Sequence, residues 1–127
     1  SHKKNLHVEE ESILEKELQW FKQVGGKTIV DVTITGLRPA LPSDSPSYSQ
    51  SLAQLSRKTG VNIICGTGFY INKVHPEFVT TSTIEDLSDF MVKELTTGID
   101  DSTEIKAGVI GEIGCSWPLT NNEIKVC

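Results

Sequence analysis

Glu112 is the carboxylate of this 127-residue chain whose surroundings look least suited to it. It lies in Ile105-Lys106-Ala107-Gly108-Val109-Ile110-Gly111-Glu112-Ile113-Gly114, followed by Cys115-Ser116-Trp117-Pro118. The run is apolar and rich in β-branched residues and glycine, which predicts a buried parallel strand. A charged carboxylate in a strand covered on both faces loses several kcal/mol of hydration unless a partner compensates. Ligands of parallel α/β sheets bind at the carboxyl ends of strands, and Glu112 is placed near such an end. That combination makes it a candidate for chemistry, metal ligation included. From the residues alone, pairing with a lysine such as Lys27 or Lys106, or a solvated sheet end, is the commoner explanation for such a carboxylate. Side chains alternate along a strand, so Glu112 shares a face with Ile110 and Gly108.

Other reactive types are scattered. Asp31 interrupts the apolar run Thr28-Ile29-Val30-Asp31-Val32-Thr33-Ile34, where it either hydrogen-bonds backbone or borders a site. Cys115 follows the Glu112 strand, but no histidine lies near it in sequence to activate a thiolate, which points to an inert, partly buried thiol. Gly66-Thr67-Gly68 has the start of a dinucleotide loop, yet Ile71 stands where the third glycine belongs, so backbone room is the better reading. His75 precedes Pro76 and reads as part of a surface turn. Glu9-Glu10-Glu11 reads as a solvated first helical turn favoured by the helix dipole.

Alternating elements must position these residues. Apolar residues at Ile13, Leu14, Leu18, Phe21 and Val24 predict a helix over 9–24, stopped by Gly25-Gly26. A strand over 28–34 follows, then a proline- and serine-rich loop from Leu37 to Ser49 expected to be mobile. A short helix over 49–59, with Leu52 and Leu55 inward, ends at Gly60. Val61 to Gly68 predicts the next strand, and 69–81 a long loop. Thr83 caps a helix over 83–97, with Asp86 completing a capping-box pattern and Ile84, Leu87, Phe90, Met91 and Leu95 as its stripe. The Glu112 strand closes the series, and a last helix begins after Thr120 and Asn121.

The order α-β-α-β-α-β implies right-handed crossovers and a parallel sheet of about three strands. A small flavodoxin-like domain and part of a barrel both satisfy it. Net charge is −5 and no basic stripe appears, which argues against nucleic acid. No apolar run nears the roughly 18–20 residues of a membrane span. The three cysteines, Cys65, Cys115 and Cys127, include no CxxC pair and suggest reduced thiols in a cytoplasmic protein. The chain opens at Ser1 and stops at Cys127 inside the first turns of a helix, so residues 1–127 are expected to be one piece of a longer protein.

Three segments, 26–33, 59–70 and 106–114, are similar in order and spacing to consecutive strand regions of the phosphotriesterase family of metal-dependent amidohydrolases. Cys115-Ser116-Trp117-Pro118-Leu119-Thr120 resembles the animal phosphotriesterase-related branch. The resemblance runs from about Glu9 to Cys127, and lapses over 37–50, where the family's Gly-x-Gly-Arg-Asp-like turn is missing. It implies a partial (β/α)8 TIM barrel. It also implies a hydrolase that cleaves an amide (N-acyl taurine) or ester bond with a hydroxide bridging two divalent metals, zinc by expectation. The bridging acidic group comes from the fourth strand, and Glu112 matches that position. Tyr70 falls where the family has an aromatic lining the substrate pocket, although loop packing would also account for it.

The remaining ligands of that family are a His-x-His pair, two single histidines and an aspartate. His2, His7 and His75 do not match them. The catalytic set is therefore expected to be incomplete in this chain and the chain inactive alone. The substrate would be a small molecule. A non-catalytic α/β ligand-binding module is the alternative.

Overall fold

Three reciprocal caps decide where helices start. Ser47, Thr83 and Thr120 each accept a hydrogen bond from the backbone N–H three residues on. The side chains there, Gln50, Asp86 and Glu123, accept in return from the caps' own N–H groups. Each box satisfies two donors that a helix N-terminus leaves open. The computed structural model describes residues 2–39, 41, 43–100 and 104–127, with residues 2–10 as backbone. Its elements are α1 (His2–Gln23), β1 (Thr28–Asp31), α2 (Tyr48–Thr59), β2 (Asn62–Thr67), a 3-10 turn (Asn72–Val74), α3 (Phe78–Thr81), α4 (Ile84–Thr96), β3 (Val109–Ile110) and α5 (Asn121–Val126).

The sheet runs β1-β2-β3. β3 pairs parallel to β2, with Gly66 opposite Val109 and Thr67 opposite Ile110. A parallel bridge joins Thr35 to Phe69 beyond the named strands. Two strands are shorter than the sequence predicts. β1 stops at Asp31, whose Oδ1 accepts from the Thr33 N–H at 3.1 Å and the Thr33 hydroxyl at 2.7 Å. That local bond takes the Thr33 amide out of any ladder. β3 covers two residues of the expected 105–114, because Gly108 and Gly111 flank it and glycine weakens a strand.

The chain divides into two compact units, Ser1–Ile29 with Ala40–Ile63, and Val30–Pro39 with Ile64–Cys127. In the first, α1 lies against α2. Lys58 Nζ meets Glu15 Oε2 at 3.1 Å, and Lys22 Nζ donates to the Thr59 carbonyl at 2.9 Å. Gly60 ends α2 in the left-handed region (φ 68°), where a glycine carries no Cβ penalty. α1 begins at His2, not Glu9, so Glu9-Glu10-Glu11 is interior to the helix and the dipole argument for it lapses. Of its predicted inward stripe, Leu18 and Phe21 are half-buried while Ile13, Leu14 and Val24 are exposed.

The second unit holds a core of Phe69, Val79, Leu87 and Val126, with Phe90 and Met91 packed on it. Phe69 and Phe90 sit 5.5 Å apart and Phe78 and Phe90 5.6 Å apart, both tilted. Burying a side chain of this size stabilises by about 1.5–3 kcal/mol. α4 buries Leu87 and turns Ile84 outward, so its stripe is narrower than predicted. Among the described residues no helix is long and apolar enough to cross a membrane.

Candidate functional site

Beyond the carboxyl ends of β2 and β3 the chain enters two loops, 68–76 and 111–120, that carry the singled-out residues. The Gly111 N–H donates to the Thr67 carbonyl at 2.7 Å, which extends the pairing one residue past β3. Glu112 comes next. Its side chain is exposed, and among the described residues no hydrogen bond or ion pair reaches it. The expected greasy burial is therefore not found. β3 ends before it, and the chain's own elements do not cover it. A solvated carboxylate keeps its hydration, so Glu112 is a candidate by position at a strand end and not by desolvation.

Tyr70 is half-buried just past β2. Its ring lies close enough to Gly114 that a Cβ at that position would overlap it. The structure thus brings the Tyr70 ring to the loop that bears Glu112. His75 Nε2 bonds the Tyr70 carbonyl at 2.7 Å, and its Nδ1 is buried with no hydrogen-bond partner. The ring is half-buried and edge-on to Phe69, not a free surface turn.

The residue that fixes both loops is Glu123, which sequence reasoning passed over. It is fully buried. Its carboxylate accepts from the Asn72 N–H at 2.9 Å in one loop. In the other it accepts from the Ser116 N–H at 3.1 Å, the Ser116 hydroxyl at 2.8 Å and the Thr120 N–H at 2.9 Å. These bonds, led by the Asn72 and Thr120 amides, hold its pKa at about 2, below the ordinary 4.5. The signal in the sequence is Thr120-Asn121-Asn122-Glu123, a capping box in its own right.

A second polar cluster lies in the same unit. Arg38 forms a two-pronged pair with Glu94, Nη1 to Oε1 at 2.7 Å and Nη2 to Oε2 at 3.0 Å, and Nη2 donates to the Gly66 carbonyl at 3.1 Å. Burial opposes the Arg38 charge, but Glu94, with Asp100 at 3.5 Å, outweighs it and pushes the pKa up. Beside the pair is a cavity of about 300 Å³ walled by Thr35, Arg38, Phe78, Phe90, Glu94 and Asp100. The guanidinium facing it is already engaged by carboxylates, so this is a structural clamp.

Asp31 serves the Thr33 turn described above. Cys65 is buried, and that burial raises its pKa. Cys115 is exposed, contrary to the partly buried thiol expected, and its Sγ lies 3.3 Å from that of Cys127. Among the described residues no group of three or more His, Cys, Asp or Glu is placed to hold a metal. The side chains of His2 and His7 lie outside the described residues.

The Phosphotriesterase family model matches residues 1–127. The chain belongs to the phosphotriesterase family. Relatives named N-acetyltaurine hydrolase are 42% identical in Homo sapiens and 43% in Bos taurus, each over 127 residues. The match takes in 99% of this chain and 34% of each relative, so the chain spans about a third of their length. A phosphotriesterase homology protein from Escherichia coli, with phosphate in its active site, superposes with a TM-score of 0.78 at 30% identity, over 91% of this chain and 37% of that one. A resiniferatoxin-binding protein from Rhodobacter sphaeroides superposes with a TM-score of 0.76 at 32% identity, over 88% and 29%. As a phosphotriesterase-family chain, its three parallel strands and their helices are a portion of a (β/α)8 barrel. The 106–114 segment quoted for the resemblance is the one that carries β3 and Glu112.

Proposed function

We propose that residues 1–127 are one section of a cytoplasmic, metal-dependent (β/α)8 hydrolase whose whole chain cleaves the amide bond of N-acyl taurines, with esters as the related substrate class. The observation that carries this reading is the 42% identity, along the entire chain, to a protein named N-acetyltaurine hydrolase. In this reading Glu112 would be the residue of this chain that helps hold a pair of divalent cations, zinc by expectation. Tyr70 walls the small-molecule substrate, and Glu123 keeps the two loops in register.

One open carboxylate at a strand end suits a single ligand of such a centre, and among the described residues no group of three or more His, Cys, Asp or Glu is placed to complete it. Two cations need more donors than this, so residues 1–127 alone are inactive in our proposal. When bound, such a pair supplies a hydroxide nucleophile at neutral pH and neutralises the developing oxyanion.

The test is taurine release from N-acetyltaurine. The whole protein containing these residues releases taurine, and residues 1–127 alone release none. Absence of turnover by the whole protein, with a phosphotriester hydrolysed in its place, would overturn the amide assignment. Turnover by residues 1–127 alone would overturn the incomplete site.

A further inference from the structure

We propose that Cys115 and Cys127 form an oxidisable dithiol, closed to an intramolecular disulfide by exchange with a small-molecule disulfide of the oxidised-glutathione class. The sulfurs lie 3.3 Å apart on two different elements, the segment after β3 and the end of α5. Both residues are exposed, so a small disulfide reaches them, whereas Cys65 is buried. Closing the bond shortens the gap to about 2.05 Å, a movement within reach of side-chain rotation.

The surrounding hydrogen bonds keep the two thiols facing each other. Ser116, next to Cys115, is tied to the Glu123 carboxylate by its N–H and its hydroxyl. The Cys127 N–H donates to the Glu123 carbonyl at 3.1 Å. One residue of α5 thus anchors both cysteines, which gives the second exchange step a high effective concentration. The inference stands apart from the hydrolase reading, because it rests on geometry around α5 alone.

The chemistry balances in two exchanges. One protein thiolate attacks a sulfur of the small disulfide, forming a mixed disulfide and expelling one small thiolate. The other protein thiolate then attacks the protein-side sulfur of that bond and expels the second. Two protein thiols are oxidised, one small disulfide is reduced to two thiols, and the two protons pass to the departing thiolates. The closed bond would pin the loop bearing Glu112 to α5. In a reducing compartment such a bond acts as a sensor and not as a permanent staple.

The hydrogen bond to Cys127 makes Cys115 hold its proton more tightly than a free thiol. Incubation at about pH 8 is therefore the informative condition. The protein is treated with oxidised glutathione without denaturant, alkylated and mapped by mass spectrometry. A Cys115–Cys127 linked peptide in the monomer, with Cys65 still free on denaturation, supports the proposal. Under the same treatment Cys127→Ser retains glutathione on Cys115, and the closed wild type melts several degrees above it. Free Cys115 and Cys127, a mixed disulfide that persists in the wild type, or a link between two chains overturns it.

Discussion

Glu123 is the side chain on which the geometry of the candidate site depends. Its pKa of about 2 lies below the ordinary 4.5, so the folded state favours the ionised form. The stability it contributes is fully present above about pH 4.5 and is lost as pH falls toward 2. Thermal melts of wild type and Glu123→Ala should therefore differ most near neutral pH, with the variant melting lower. The gap should close as the buffer is taken from pH 4.5 down toward pH 2. A gap unchanged by acid would mean that these hydrogen bonds do not favour the carboxylate. Glu123 is legible in the sequence as a helix cap, because Thr120 stands three residues before it. Its grip on Asn72, 51 residues away, is not, because no local pattern reports a partner brought in by the fold. For Glu112 the reverse holds. Its place near a strand end is legible, but its exposure is set by whichever elements cover it.

The helices that open on a capping box are the elements the sequence defines best, and the reason is chemical. α1, which starts at His2 and not at 9, and α3, inside the stretch 69–81 expected to be loop, carry no such box. α4 starts at Ile84 after the Thr83–Asp86 box, as the pattern predicts, because capping is decided within four residues. Strand limits follow no such four-residue pattern, and here they moved. Asp31 folding back on Thr33 and the glycines around Val109-Ile110 shorten β1 and β3 in ways that apolar runs do not show. The same contrast predicts two stability changes. Leu87→Ala, at 1% exposure in the core, should cost about 2–5 kcal/mol in chemical denaturation. Thr83→Ala, on the surface, should cost about 1 kcal/mol through the lost cap alone. Equal losses at the two positions would contradict the core described for the second unit.

At the scale of the whole molecule, apolar strand residues remain open to solvent. Val30 (50%), Ile64 (37%) and Ile110 (53%) lie in the second unit and are not covered by it. In a (β/α)8 barrel the interior is filled by side chains from all eight strands, and the described residues form a sheet of three. With Thr67 opposite Ile110, side-chain alternation puts Ile64 and Ile110 on opposite sides of the sheet, so both sides keep open apolar residues, and Glu112 is open just past the end of β3. The family resemblance was legible from three strand segments, whereas which strand residues stay open could come only from coordinates. We propose that Glu112 would hold metal in the whole protein. The direct measurement is the bound-metal content of the purified whole protein, wild type against Glu112→Gln, with N-acetyltaurine hydrolysis followed on the same samples. Metal content and activity are expected to fall together in the variant. Full metal occupancy in Glu112→Gln would contradict it.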